Sequence, residues 1–73
     1  MAERVLNIKK SSNVKAASYD PDTQKITVVF NSGHSGFYSG CSEEVATAFE
    51  QADSSGKFVA AELKPKYPYT KIG

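Results

Sequence analysis

The sequence has one cysteine, one histidine, no tryptophan and no long apolar run. An internal disulfide needs two cysteines, so Cys41 cannot form one. Cys41 and His34 are too few for a structural zinc site. The longest apolar stretch, residues 26–30, is interrupted by Thr27 and is far shorter than the roughly 20 residues of a membrane-spanning helix. The sequence therefore excludes a disulfide scaffold, a structural zinc domain and a helical membrane span.

The N-terminal segment does not have the pattern of a secretory signal peptide. Glu3, Arg4, Lys9 and Lys10 interrupt the apolar run that such a peptide requires. Together with the single cysteine, this predicts a cytoplasmic protein.

The chain of 73 residues predicts one domain with a thin core. A domain of this size buries only about 60% of the surface that its unfolded chain exposes. Such a core supplies roughly 3–5 kcal/mol unless disulfides, metal or self-association add to it, and only self-association is available here. We therefore expect a single domain over residues 1–73, with a mobile N-terminal few residues, that forms a homo-oligomer.

The net charge of +1 conceals a basic–acidic–basic distribution along the chain. Residues 1–19 carry a net +3, residues 20–53 a net −5 and residues 54–73 a net +3. If the two termini meet in space, they form a modest positive patch that suits a ligand with a few phosphates better than a long nucleic acid. Scattered, solvated lysines are the alternative interpretation.

The first half of the chain predicts a small antiparallel sheet. Strands are predicted at residues 14–19, 25–30 and 34–39, with a short edge strand within residues 4–8. Ile26, Val28 and Phe30 alternate with less apolar residues and should line the core. Turns are predicted at residues 20–22, where Pro and Asp favour a turn, and at residues 31–33.

Helices are predicted to follow the strands. Ser42 is a good N-cap, and Glu43 and Glu44 complement the positive end of the helix dipole. The apolar residues at helical spacing behind this cap are Val45, Ala48, Phe49 and Ala52. A further short helix is expected at residues 57–63, with Phe58 and Val59 inward, followed by an extended tail at residues 67–69. The predicted fold is α+β: an antiparallel three- to four-stranded sheet followed by one or two helices packed on one face.

Four stretches, in this order, resemble the KTSC domain, a short module found at the C-terminus of some lysyl-tRNA synthetases and as a stand-alone protein. The stretches are SSN at 11–13 followed by YDP at 19–21, FNSG at 30–33 leading to Tyr38, SSGKF at 54–58 and KPKYPY at 64–69. The sequence departs from the family pattern at three places. Gly36 replaces the first tyrosine of a Tyr-x-Tyr pair, Ser42 replaces a proline, and Val59-Ala60 replaces Phe-Asn. The synthetase context of the family implies RNA binding.

The sequence does not predict an enzyme. Cys41 would need a base within hydrogen-bonding distance, and His34 lies seven residues upstream in a predicted strand. Cys41 is better interpreted as a small buried core residue and His34 as a surface turn residue. Glu43 and Glu44 are adjacent, so on a helix they diverge by roughly 100° and cannot flank one substrate bond. No glycine-rich phosphate loop is present, and no cofactor or metal is expected.

A different set of residues is suited to binding a ligand. Hydroxyl, amide and backbone N–H groups at 11–13 and 54–57 could hydrogen-bond a phosphate, although a capped turn and a plain linker explain them equally. Tyrosines and lysines interleave near the C-terminus, a pattern typical of nucleotide or single-strand sites, although Tyr67 or Tyr69 could instead clamp the tail onto the sheet. The predicted ligand-binding residues are Ser11, Ser12, Asn13, Tyr38, Lys57, Lys64, Lys66, Tyr67 and Tyr69.

Three functions remain open from the sequence. The preferred hypothesis is a non-catalytic, oligomeric binder that sequesters a small phosphate-bearing ligand, such as a nucleotide or cyclic nucleotide signal, in the manner of phage counter-defence proteins. The first alternative is an RNA-binding module, implied by the resemblance, although a net charge of +1 is low for this role. The second alternative is a protein–protein interaction module that uses an edge strand or the aromatic tail.

Overall fold

The structure is a computed structural model that describes residues 3–9 and 13–72. The strands are β1 (Arg4–Val5), β2 (Val14–Asp20), β3 (Lys25–Phe30), β4 (Ser35–Tyr38) and β5 (Tyr69–Lys71). The helices are α1 (Glu43–Gln51) and α2 (Ser55–Phe58), and α2 continues directly into a π-helical turn, Val59–Leu63. The expected mobility of the first few residues falls in part on Met1 and Ala2, which lie outside the described residues.

The strands form one antiparallel sheet in the order β1-β2-β3-β4-β5. The α+β prediction is confirmed, and the sheet has one strand more than the three or four expected. The additional strand is β5, because the C-terminal tail pairs with β4 and places Tyr69 opposite Tyr38. Consequently β1 and β5, from the two ends of the chain, lie at opposite edges of the sheet.

The two predicted turns connect the central strands as the sequence indicates. The backbone N–H of Asp22 donates to Oδ1 of Asp20 over 3.0 Å, which is the local aspartate bond expected of this turn. In the second turn Gly33 has φ +96°, a conformation that side chains other than glycine rarely adopt. Both turns therefore fix the register in which Ile26 pairs with Tyr19 on one side and with Tyr38 on the other.

The core lies between one face of the sheet and the helices. Ile26 and Val28 are fully buried on this face, as their alternation predicts, and Phe30 is partly buried. The other buried apolar residues, from the rest of the sheet, the loops and the helices, are Leu6, Val14, Ala17, Tyr19, Tyr38, Cys41, Ala46, Phe49, Val59 and Leu63. Helices on a single face of the sheet leave the other face without a helix, among the residues described.

Helix α1 is rotated relative to the stripe predicted from its sequence. Its buried residues are Ala46 and Phe49, three positions apart, whereas Ala48 is exposed. Ser42 occupies the N-cap position, but its side chain makes no capping hydrogen bond. Phe49 is fully buried and stacks on Phe58, and it belongs both to the predicted stripe and to the observed buried pair.

The predicted helix at 57–63 begins earlier and changes its hydrogen bonding midway. The Ser54 side chain caps α2 by accepting from the backbone N–H of Lys57 over 3.3 Å. In the π-helical turn the backbone N–H of Lys64 donates to the carbonyl of Val59 over 2.8 Å, one residue further than in an α-helix. Val59 is buried as predicted, whereas Phe58 is partly buried and stacks on Phe49 with ring centres 5.0 Å apart.

Candidate functional site

A groove of about 520 Å³ lies on the core side of the sheet. We call it the tyrosine groove. Its lining residues come from β2 to β5 and their loops on one side and from α2 and the π-helical turn on the other: Asn13, Val14, Phe30, Ser32, Tyr38, Gly56, Val59, Ala60, Lys64 and Tyr69. A volume of this size falls within the range of roughly 300–1,000 Å³ that is typical of small-molecule sites.

Tyr69 forms one wall of the tyrosine groove, and Gly36 makes room for it. A Cβ atom at Gly36 would overlap the end of the Tyr69 ring. The same ring packs against Tyr38 with centres 4.8 Å apart and planes tilted by 44°, a favourable aromatic geometry. Tyr38 is buried and burial raises its pKa, whereas Tyr69 is 41% exposed and presents its ring to solvent. Tyr69 is therefore the ring of this pair that a ligand could reach.

Among the residues described, the lining of the tyrosine groove carries one formal charge, that of Lys64, and includes no acidic side chain. Lys64 is exposed at the end of the π-helical turn. On the opposite side, the carbonyl of Asn13 accepts from the backbone N–H of Asn31 over 2.9 Å, which fixes the start of β2 beside the groove. The arrangement thus combines an aromatic surface with a single cation, the complement of a planar group that bears a negative charge.

The structure brings together four of the nine predicted ligand-binding residues. Asn13, Tyr38, Lys64 and Tyr69 all line the tyrosine groove. Lys57 is exposed on α2 and lines neither this groove nor the second one described below. Ser11 and Ser12 lie outside the described residues.

The remaining two predicted residues, Lys66 and Tyr67, lie elsewhere. They line a smaller depression of about 230 Å³ between α1 and the segment that follows the π-helical turn. The ammonium of Lys66 is 3.0 Å from Oε1 of Glu62, four residues earlier, and this bond raises the pKa of Lys66. Lys66 is therefore already engaged by a carboxylate and is less suited to an anionic ligand than Lys64.

Arg4 and Lys71 lie far apart, whereas Lys9 lies beside the C-terminal segment: its carbonyl accepts a hydrogen bond of 2.6 Å from the hydroxyl of Ser55, close to Lys57 in the chain. The strands that carry Arg4 and Lys71 lie at opposite edges of the five-stranded sheet, about 19 Å apart at the usual strand spacing. Arg4 lies 3.8 Å from Glu50, and the ammonium of Lys9 lies 3.2 Å from Asp53. Two acidic residues from the middle of the chain thus pair with Arg4 and Lys9, and among the residues described Lys64 is the charged residue that lines the tyrosine groove.

The surroundings of Cys41 are those of a buried core residue. It is fully buried, its Sγ is 3.5 Å from the carbonyl oxygen of Tyr38, and burial raises its pKa to about 11. Its own carbonyl accepts a hydrogen bond of 2.9 Å from the buried hydroxyl of Tyr19. A protonated, inaccessible thiol is not a nucleophile at neutral pH.

Two further properties hold for the described residues. They contain no group of three or more His, Cys, Asp or Glu side chains that could hold a metal ion. None of their helices is long and apolar enough to cross a membrane.

Sequence reasoning missed several residues of the groove. Gly56, Val59 and Ala60 form its helical wall, and the sequence indicated only a linker and an inward-facing valine there. One signal was present: Gly36 and Val59-Ala60 are positions at which the chain has smaller side chains than the family pattern. Val59 and Ala60 line the groove, so their small size explains part of its volume, whereas the space at Gly36 is taken by the Tyr69 ring.

The chain is similar to a known protein family and to individual proteins. The model of the KTSC domain matches residues 10–67. The chain is 36% identical over 64 residues to an uncharacterized protein of Stutzerimonas stutzeri, covering 86% of this chain and 90% of that protein. It is 34% identical over 58 residues to a protein of Tsukamurella paurometabola, covering 80% and 87% of the two chains.

A solved structure is similar over the whole chain. The crystal structure of a KTSC domain protein from Yersinia pestis superposes with a TM-score of 0.87 at 29% sequence identity. The match covers 99% of this chain and 100% of that chain. The sheet and helices described above are thus the fold of a solved relative.

Proposed function

The chain belongs to the KTSC domain family, and we propose that it is a cytoplasmic, non-catalytic, homo-oligomeric protein that binds a small phosphate-bearing ligand in the tyrosine groove. The ligand class is a nucleotide or cyclic nucleotide signal, held by sequestration as in phage counter-defence. The observation that carries the proposal is the meeting of the partly exposed Tyr69 ring and the Lys64 ammonium in one groove.

Each of the two groups supplies a different part of the recognition. An exposed tyrosine offers a base a stacking surface worth about 1–3 kcal/mol, and such stacking tolerates any base. Lys64 supplies a point charge for one phosphate and no acidic side chain in the groove opposes it. One ring and one cation match a small nucleotide better than a long nucleic acid, which needs a track of phosphate contacts.

Sequestration follows from what the groove lacks. Among the residues described, its lining includes no His, Cys, Asp or Glu, side chains often used as general acids, bases or nucleophiles. This composition supports a site that binds a nucleotide without reacting with it.

A thermal-unfolding screen of the full chain against linear and cyclic nucleotides tests the proposal. A ligand at a hundred times its dissociation constant stabilises a protein by about 2.7 kcal/mol. For a domain of this size that raises the unfolding midpoint by on the order of ten degrees. We expect a shift of this size with one nucleotide class, and recovery of the unchanged ligand after denaturation.

A pair of matched lysine variants places the ligand. Lys64→Gln should weaken binding of the nucleotide that gave the shift by about ten- to a hundredfold, because one charge-assisted hydrogen bond is worth about 1.5–3 kcal/mol. Lys57→Gln removes the same charge from an exposed position outside the groove and should bind like the native chain. Equal affinities of the two variants would contradict binding in the tyrosine groove.

The same screen includes short oligoribonucleotides for the family-implied alternative. Stabilisation by RNA with a steep salt dependence, and none by nucleotides, would favour an RNA-binding module. A flat response to every nucleotide and RNA would favour a protein partner.

A further inference from the structure

The side of the sheet that faces away from the helices has an unusual composition. We call it the outer face. Strand pairing places Val5, Ser18, Thr27, Phe37 and Thr70 in one row across all five strands. The alternation along each strand, together with the bond from the Ile72 N–H to the Ser35 carbonyl, places Ala16, Val29, Ser35 and Ile72 in the next row.

None of these nine residues is charged. Charged residues make up 23% of the chain, and typical soluble surfaces carry about 25–35%, so two or three charges would be expected at nine positions. Depletion of charge, with an aromatic residue near the centre, is characteristic of the core of a protein–protein interface.

The outer face also exposes aliphatic side chains at both of its edges. Val5 on β1 is 73% exposed and Ile72, just after β5, is 60% exposed. They are two of the three large apolar residues that are exposed in the described part of the chain. The third, Tyr69, lines the tyrosine groove on the opposite side of the sheet.

The end of the outer face near the first turn is electrically neutral. Lys25 and Asp20 are cross-strand neighbours of opposite charge. The Lys25 side chain bends over the central aromatic residue, with its ammonium 4.4 Å from the centre of the Phe37 ring. At the other end of β2, where the register shifts between Val14 and Ala16, Lys15 is exposed and adds one positive charge beside this face. A face with a small net charge repels a copy of itself only weakly, whereas a strongly charged face would select an oppositely charged partner.

We propose that the outer face is the interface between two copies of this chain. The two sheets pack face to face around a two-fold axis that is parallel to β3 and lies between the sheets. In this arrangement β1 of each copy lies over β5 of the other. This arrangement covers the exposed Val5 of one copy with the Ile72 edge of the other. It is isologous, as the interface of a two-fold dimer must be.

The size of the outer face fits a modest dimer. Five strands at the usual spacing and two residue rows with their rim give roughly 500 Å² for each copy. The total, roughly 1,000 Å², is at the lower limit for a specific interface. Dimerisation would also bury apolar surface that a core this small leaves exposed. The inference rests on the oligomeric part of the proposed function and is independent of its ligand.

Light scattering after size-exclusion chromatography, with sedimentation equilibrium of the full chain, tests the interface. We expect a mass of about twice the 7.9 kDa of one chain at high concentration, with dissociation on dilution. Val29→Lys at the centre of the outer face and Val5→Lys at its edge should each weaken self-association at least tenfold. Thr47→Lys adds the same charge at an exposed position of α1, on the other side of the sheet, and should remain dimeric.

Circular dichroism of each variant verifies folding. Val5 is exposed and outside the core, so Val5→Lys remains informative even if Val29→Lys does not fold. A native chain that is monomeric at all concentrations would overturn the interface, and so would a folded Val5→Lys variant that dimerises as tightly as the native chain. Failure of the ligand proposal is seen separately, as the absence of any nucleotide shift in a protein whose mass is still that of a dimer.

Discussion

The phenol ring of Tyr69 lies over Gly36, in the space that a Cβ atom at position 36 would fill. Gly36 is buried in β4, and Tyr69 belongs to β5, the strand that pairs with it. Because Gly36 has no side chain, the Tyr69 ring can occupy this space and contact Tyr38. The position of the groove wall depends on this contact.

The first prediction concerns this contact. Gly36→Ala should lower the free energy of unfolding by about 1–3 kcal/mol, because the added methyl group must displace the Tyr69 ring. Urea denaturation followed by tyrosine fluorescence or circular dichroism measures the change.

The control is the same substitution in a Tyr69→Ala background, where the overlap is absent. There Gly36→Ala should be neutral or stabilising by about 0.5–1 kcal/mol, since alanine loses less conformational entropy than glycine in a strand. A double-mutant cycle with no coupling between positions 36 and 69 would show that the ring does not rest on the glycine in solution.

The second prediction concerns the volume of the tyrosine groove. Ala60 lines the groove and is exposed, whereas its neighbour Ala61 is exposed and does not line it. Ala60→Phe should fill part of the groove and weaken nucleotide binding by at least tenfold, with little change in stability. Ala61→Phe should bind like the native chain.

Isothermal titration calorimetry with the nucleotide that gives the largest thermal shift compares the two variants. If Ala60→Phe binds that nucleotide as tightly as Ala61→Phe does, the ligand is not in the groove.

The third prediction concerns the alkaline stability of the fold. The pKa of the buried Cys41 thiol is raised from 9.0 to about 11, so between these values the unfolded thiol loses its proton while the folded one keeps it. The folded state then binds more protons, and the free energy of unfolding falls as the pH rises from about 9 to 11. Cys41 should contribute a loss of about 2–3 kcal/mol over this range and none below pH 8.

Cys41→Ala separates this loss from that of the buried tyrosines. Burial also raises the pKa of Tyr19 and of Tyr38, so both add to the loss of stability at high pH in either protein. The stability difference between the native chain and Cys41→Ala should therefore shrink by about 2–3 kcal/mol between pH 8 and pH 11. A difference that stays constant over this range would mean that the thiol does not titrate as a buried group.

The local features of the fold were predictable because short stretches determine them. Alternation of β-branched residues predicted the bounds of β3, residues 25–30. The turns at 20–22 and 31–33 predicted that an antiparallel strand precedes and another follows it. The rotation of α1 was not predictable, since Ala46 and Ala48 are equally apolar and their sequence context does not show which of them is buried beside Phe49.

The candidate site could be predicted only in part. Tyr38, Lys64 and Tyr69 were identified by residue type, because aromatic rings can stack on bases and lysines can bind phosphates. Their convergence itself, and the separation of Lys57, Lys66 and Tyr67 from them, depends on the path of the chain after the π-helical turn.

The sequence by itself determined β1 to β4, the turns, the family and the exclusion of an internal disulfide or a structural zinc site, because each follows from neighbouring residues or from composition. Only the tertiary structure decided that the C-terminal tail becomes β5, that Tyr69 rests on Gly36, and that Arg4 and Lys71 lie at opposite edges of the sheet. These are contacts between residues far apart in the chain. The free energy that selects them comes from packing and pairing in the assembled sheet and leaves no periodic signal in the sequence.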